Sequence, residues 1–364
     1  MKPKDILGLF KETFQEWQED KAARLAAALS YYTAFSVAPL LIIVIAIVAL
    51  VFGQDAAQGR IDEQIQGLVG QEGAKAIQQM IVNSRKPAEG TIATIISVVI
   101  LLFGASGVFA ELQDSLNTIW EVAPKPGQGV KAVVKHRFIS FAMVLGIGFL
   151  LLVSLGLSTA LAAVGGYLGQ LLPNLDIVVR ILNFAISFGV ITLLFAMIYR
   201  ILPDVKIAWG DVWLGAAITS LLFSIGRWAI GLYLGNSSVG STYGAAGSFV
   251  VFLLWVNYSA QILFFGAEFT QVYANKYGSQ IVPNKNAIPL TDEARANQGI
   301  PHTSNLEEAA QEQDNPRSST STLPRHRRNQ RNSVHPIFIG LSLFTTAYRQ
   351  VTRLGGKKGR RKNR

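Results

Sequence analysis

The sequence predicts an all-α polytopic membrane protein: a bundle of about six transmembrane helices, with an amphipathic outer loop and a disordered basic C-terminal tail. Three observations predict it. Only 15 % of the 364 residues are charged, against about a quarter in soluble domains. The charges avoid six long apolar blocks and crowd between them. The blocks are continuously apolar rather than alternating. Because a bilayer crossing must satisfy its backbone hydrogen bonds internally, that pattern selects helices over barrel strands.

A crossing needs about 20 mostly apolar residues, which places spans at about 25–52, 90–110, 138–163, 177–199, 208–234 and 244–272. Residues 1–24 are charged and mildly amphipathic. The block after them is far longer than the roughly 7–15-residue core of a cleavable signal, so it is expected to stay as span one. Pro39 removes a backbone donor there and is expected to kink the helix. The third block is rich in glycine (Gly146, Gly148, Gly156, Gly165, Gly166) and has the least defined end. Between spans one and two, Ile61, Ile65, Leu68, Val69, Ile77, Met80 and Ile81 recur at helical spacing. This loop reads as one or two amphipathic helices, lying on the outer membrane surface or capping the bundle. The competing reading is a solvated hairpin packed on itself.

Orientation follows from Lys and Arg in short loops. Lys2, Lys4, Lys11, Lys21 and Arg24 precede span one, Lys125, Lys131, Lys135 and Arg137 follow span two, and Arg200 and Lys206 follow span four. The loops after spans three and five carry none, so both termini are expected in the cytoplasm of a bacterial inner-membrane protein. Loop 53–89, with Arg60, Lys75, Arg85 and Lys86, dissents and is outvoted.

The net charge of +10 belongs to the tail. Residues 1–278, taken as the membrane domain, hold 18 Lys and Arg against 17 Asp and Glu; residues 279–364 hold 15 against 6. Residues 279–335 read as disordered from their polar, Pro-containing composition. An apolar cluster, Ile337 to Phe344, then precedes the basic residues from Arg349 to Arg364. That order suits the anionic headgroups of membrane lipids, at about 1 kcal/mol per basic residue near the surface. Nucleic acid is the disfavoured partner, because phosphate alone does not call for the apolar cluster. Cysteine is absent, which excludes disulfides, thiolate metal sites and a Cys nucleophile.

Within the blocks, Ser30-Tyr31-Tyr32-Thr33, Arg227, and Asn257, Tyr258 and Gln261 are polar. They line a polar cavity or serve as interhelical glue, since hydrocarbon offers no partners. Arg227 lies roughly 22 Å above Asp211 in span five and is expected to face the interior. Its depth differs by roughly 20 Å from that of Glu268, so the two are not paired. Glu111 and Asp114 at the end of span two, Glu268 at the end of span six, and Arg24 and Arg200 fall at one level. They are expected to form a cytoplasmic charge cluster, working as a gate or headgroup-binding mouth, or else to be solvated boundary charges. Gly240, Gly244, Gly247 and Ser248 have the spacing of close helix packing.

The run Ala26-Ala27-Ala28-Leu29-Ser30-Tyr31-Tyr32 through Ser36 and Pro39, then Gly104-Ala105-Ser106-Gly107 with Gln113 and Asn117, opens a recognisable pattern. Tyr199-Arg200-Ile201-Leu202-Pro203, Tyr243-Gly244-Ala245, Leu254-Trp255 and Gly266-Ala267-Glu268 continue it. In these stretches, spread over about residues 5–278, the chain resembles the YihY/virulence factor BrkB family, once labelled ribonuclease BN-like. The resemblance implies a six-helix bacterial inner-membrane protein, with transport or export among the proposed activities and no agreed catalytic residues.

The old ribonuclease label finds no chemistry to support it. The histidines are His136, His302, His326 and His335, and no HExxH, GxxxxGK[ST] or GxSxG pattern occurs. No enzymatic activity, catalytic residue, metal or cofactor is expected. The expected function is transport, export or flippase-like binding of an amphipathic or anionic substrate. The alternative is a non-transporting membrane scaffold for envelope proteins or lipids. Neither substrate nor oligomeric state is written in the sequence.

Overall fold

The structure, a computed structural model, describes residues 3–84, 91–126, 142, 146, 149, 153, 175–236 and 246–307. Helix α1 (Pro3–Glu19) begins on a proline, which suits a first turn lacking intrahelical N–H partners. Its apolar face places Leu9 in the interior and Phe10 on Phe269, ring centroids 5.4 Å apart. The chain turns at Asp20-Lys21, with Lys21 at φ 53°, into α2 (Ala22–Phe52).

Helix α2 is span one and continues through Pro39. The crowding around that ring is met by Gly104 on α4 (Thr91–Ile119), where an added Cβ would lie 3.1 Å from Pro39 Cγ. One turn away the Ser36 hydroxyl accepts the Val108 N–H at 3.2 Å, tying α2 to α4. Thus the Gly-Ala-Ser-Gly run is a close-approach surface.

Loop 53–84 is α3 (Gln54–Ser84), broken at Gly70, whose φ of 75° suits a residue without Cβ. It buries Ile61, Ile65, Ile77 and Ile81, together with Ala74 and Ala76. Its packing on α2 and on α7 (Gly247–Tyr277) decides for capping the bundle over a hairpin packed on itself.

Helices α5 (Leu175–Ile201) and α6 (Trp209–Asn236) join α7 in a second packed group. The Tyr199 hydroxyl donates to the Leu263 carbonyl at 2.7 Å and lies 3.1 Å from Thr219 Oγ1. Five of the six predicted spans therefore coincide with helices α2, α4, α5, α6 and α7. Within α2, α5, α6 and α7 lie stretches long and apolar enough to cross a membrane, with only 28–39 % of their residues buried inside the protein. Their outward faces carry Phe35, Leu50, Phe184, Leu221, Ile225 and Trp228. Such continuous apolar exposure is tolerable only in lipid. The third predicted span, 138–163, lies outside the described residues apart from four helical positions, as do Gly240 and Gly244.

The reading of 279–335 as disordered requires correction for its first part. Residues 279–307 belong to the same compact unit as the bundle. Strand β1 (Val122–Pro124), after α4, pairs antiparallel with β4 (Ala287–Pro289), and β2 (Val205–Lys206), after α5, pairs with β3 (Val282–Pro283). Helix α8 (Asp292–Asn297) follows, capped by the Thr291 hydroxyl accepting the Ala294 N–H. Low hydrophobicity argued for disorder, but this stretch takes its order from backbone pairing and from burying Arg295 and Ile300 against the bundle. The basic tail from 308 onward, including 337–364, lies outside the described residues.

Candidate functional site

The charged end of the bundle forms around α1, whose Glu12, Glu16 and Asp20 recur every four residues. Like charges at that spacing repel along a helix. Their retention demands a compensating group, and α8 supplies it. Arg295 is 1 % exposed; its Nη2 donates to Asp20 Oδ1 at 2.7 Å and its Nη1 to Glu121 Oε1 at 3.2 Å. Glu121, in the turn between α4 and β1, has φ 53°, an unusual backbone for a non-glycine residue that marks a constrained position.

Burial dominates the electrostatics of Asp20 and pushes its carboxyl up to about 6, while Arg295 opposes that shift. Glu16 is also raised, first by burial and then by Glu19 and Glu121. Glu268 on α7 lies behind this group. Its charged neighbours are Asp20, Glu16, Arg295 and Glu121; it is fully buried, and among the described residues neither carboxylate oxygen meets a hydrogen-bond donor. Such a group is rare, because an unpartnered buried carboxylate costs far more than a partnered one.

Beside this group, and not lined by Glu268 itself, opens a chamber of about 360 Å³, walled by Glu12, Glu16 and Glu121 on one side and Gln271, Asn275 and Lys276 on the other. Lys276 is paired to Glu12. His302 stands at the rim, 3.5 Å from Glu19 and 3.7 Å from both Glu121 and Asp292. On the bundle side of Glu268 lies a groove of about 350 Å³ between α1, α6 and α7, lined by Phe14, Trp17, Ile225, Tyr258, Ile262 and Phe265. Tyr258, Ile262, Phe265, Glu268, Val272 and Asn275 follow one another at three- and four-residue steps, so a single face of α7 runs from groove to chamber.

The cytoplasmic charge cluster expected from the sequence is not assembled. Glu268 is present, but its cation is Arg295 rather than Arg24 or Arg200. Arg24 reaches the Gln298 carbonyl at 3.4 Å, and Arg200 lies over the Trp209 ring, 5.8 Å from its centroid. Glu111 and Asp114 face each other's charge on α4, with Asp114 exposed. Counting residues sets depth along a helix, whereas direction around its axis is set by packing.

The expected polar cavity is likewise divided. The hydroxyls of Ser30 and Thr33 donate to carbonyls one turn back, Ala26 and Leu29, at 2.7 Å each. Tyr31 is 62 % exposed and meets Tyr32 edge-on and Phe35 at a tilt on the outer face of α2. Arg227 is exposed rather than interior-facing. Asn257 and Gln261 bond to each other at 2.8 Å. Only Tyr258 and Gln261 reach the groove.

Sequence reasoning missed Asp20, Glu121, Arg295 and Asp204. Asp204 accepts from Gln113 Nε2 at 3.2 Å and Asn117 Nδ2 at 3.1 Å, and its own N–H donates to Asn117 Oδ1 at 2.8 Å. These bonds hold the turn after α5 against α4. The available signals were the acidic four-residue repeat on α1 and an arginine inside a polar stretch after the last span.

Comparison with known proteins agrees with this architecture. UPF0761 membrane proteins are similar to the chain, among them one from Mannheimia succiniciproducens, 25 % identical over 72 % of this chain and 88 % of its own length. Others come from Halorhodospira halophila (26 % identical, 78 % of this chain) and Teredinibacter turnerae (27 %, 76 %). The chain spans 61 % and 63 % of the length of these last two. No solved structure matches it. The profile of the family described as Virulence factor BrkB matches residues 13–290, which takes in α2 to α7 and both strand pairings and ends just short of α8 and Arg295, and the chain belongs to that family.

Proposed function

We propose that the protein transports an amphipathic substrate across the bacterial inner membrane, with both termini in the cytoplasm. The observation that carries this reading is Glu268. It is a buried carboxyl group without donors among the described residues, placed along α7 between the residues that line an apolar groove and those that line an acidic chamber, and lining neither. Ionisable groups at membrane depth mark substrate or ion pathways more often than structure. The groove suits an acyl or aryl portion and the chamber a polar head. The acidity of the chamber argues against the anionic class of substrate. The orientation rests on the Lys and Arg distribution, and the basic tail is assigned to anionic lipid headgroups. The absence of reaction chemistry in the sequence supports a non-enzymatic role.

Reconstitution into liposomes tests the reading, with lipid scrambling and solute flux followed together. Flux that is reduced in E268Q supports it. Well-inserted protein that moves neither class of molecule refutes it. The scaffold reading then takes over, favoured by Ser30, Thr33, Thr219 and Ser220, whose hydroxyls all bond within their own helices.

A further inference from the structure

We infer that the strap that follows α7, residues 279–307, is a clasp with one fixed and one releasable end. Closed, it holds α1 against α7; released, it lets α1 swing off the bundle about a hinge at Lys21. The clasp goes beyond the transport reading and does not rest on it, although α1 contributes walls to both the groove and the chamber.

Helix α1 is built to move as a unit. Asp20 and Lys21 alone join it to α2, and Lys21 stands in the left-handed region at φ 53° and ψ 42° without a side-chain cap. A single residue in that conformation ends one helix before the next begins, so α1 takes no rigidity from α2. It packs mainly on α7, where Leu9 joins Phe269 and Val272 in a small apolar cluster apart from the main core. Trp17 is the side chain of α1 that packs against the main core.

The strap has two different ends. Its first part is fixed by backbone pairing, β3 on β2 and β4 on β1, and by the Leu290 N–H donating to the Glu121 carbonyl at 2.7 Å. Its later part grips the hinge through polar groups. Arg295 Nη2 donates to Asp20 at 2.7 Å, Lys21 Nζ to the Gly299 carbonyl, and Arg24 Nη2 to the Gln298 carbonyl at 3.4 Å. His302 stands 3.5 Å from Glu19 at the end of α1. Bonds of this kind are replaced by bonds to water on release, so the grip can open while the strand pairings keep the strap in place.

Acidity sets the grip. Asp20 is faced by Arg295 from α8, Glu121 from the α4–β1 turn, Glu16 from α1 and Glu268 from α7. In the closed clasp burial outweighs Arg295 and lifts the Asp20 carboxyl to about 6 from an ordinary 3.8. Freed into water it returns toward the ordinary value. Between the two the closed form holds a proton that the open form gives up, so the clasp is tightest in acid and loosens as pH rises through 6.

Hydrogen exchange of the full chain in phosphatidylcholine nanodiscs, corrected for intrinsic rates, tests the clasp at pH 5 and pH 8. We expect residues 3–19 of the native chain to exchange faster at pH 8. R295M should speed them at least about tenfold further at that pH, with α7 unchanged. D20N should remove the difference between the two pH values. If R295M does not fold, Lys21→Met, which removes only the bond to Gly299, decides in its place by the same criterion. Unchanged exchange of α1, or equal acceleration of α1, α4 and α7, overturns the clasp; a pH difference that persists in D20N overturns its control by Asp20. Release of α1 in protein that moves no solute or lipid upholds the clasp and sinks the transport reading, whereas flux with α1 unmoved in R295M sinks the clasp alone.

Discussion

Replacing Arg295 by Met removes the guanidinium that bonds the buried Asp20 and the part-exposed Glu121. Breaking a buried ion pair from one side costs about 3–5 kcal/mol, because the remaining charge is left without compensation. For a domain of this size that corresponds to a fall of roughly 6–10 °C in melting temperature at about 2 °C per kcal/mol. The loss must depend on pH. The Asp20 carboxyl titrates at about 6 in the fold against an ordinary 3.8. Between those values the folded protein holds a proton that the unfolded chain has released. Stability from this group is therefore greatest below about pH 4 and declines as pH rises through 6. The size of that decline is roughly 3 kcal/mol at 1.36 kcal/mol per pH unit. In R295M the opposing cation is gone, so the decline extends to higher pH. The deficit should be large at pH 8 and small at pH 5. The double variant D20N/R295M should regain most of it, since the buried partner is then uncharged and the remaining one, Glu121, is part-exposed to solvent. Thermal unfolding in detergent, followed by tryptophan fluorescence, measures all of this. An R295M melting temperature within 2 °C of the native value at pH 8, or the same deficit at pH 5, would refute the reasoning.

Gly266→Ala should cost about 1–3 kcal/mol of stability, because the new Cβ would lie 2.6 Å from Tyr199 Oη and 2.9 Å from Thr219 Cβ. Gly189→Ala, with nothing within 4 Å, should instead be neutral or stabilising by up to about 1 kcal/mol; equal melting temperatures for the two variants would contradict the packing. Asn117→Leu strips Asp204 of a donor and an acceptor at once, and should lower stability by about 1–3 kcal/mol in the same assay. Because the chain has no cysteine, A123C/I288C offers a clean cross-linking test of the pairing between β1 and β4. Mild oxidation should shift its gel mobility, and failure to cross-link would speak against the strap lying where it does.

The helices were legible because each is a long apolar run, and α2, α5, α6 and α7 begin and end within about five residues of the expected spans. The candidate site was legible only in part. Glu268 stands out as a carboxylate in a span, yet the cation whose charge acts on it, Arg295, lies in a segment whose composition argues for disorder. Nothing local in Asp292–Asn297 announces that its arginine is buried, since that depends on two strand pairings with residues more than 70 positions away. Arg227 shows the reverse failure. Its depth was readable from residue count, but it is exposed on α6 because the side of a helix that meets its neighbours is set by those neighbours.

By itself, then, the amino-acid order determined that this protein lives in a bilayer and which apolar stretches form its long helices α2, α5, α6 and α7, because the expulsion of apolar side chains from water acts residue by residue along the chain. Only the tertiary structure decided which charges meet. The union of Asp20, Glu121, Glu268 and Arg295 comes from four separate elements, and electrostatic pairing depends on distance and direction in space rather than on position in sequence.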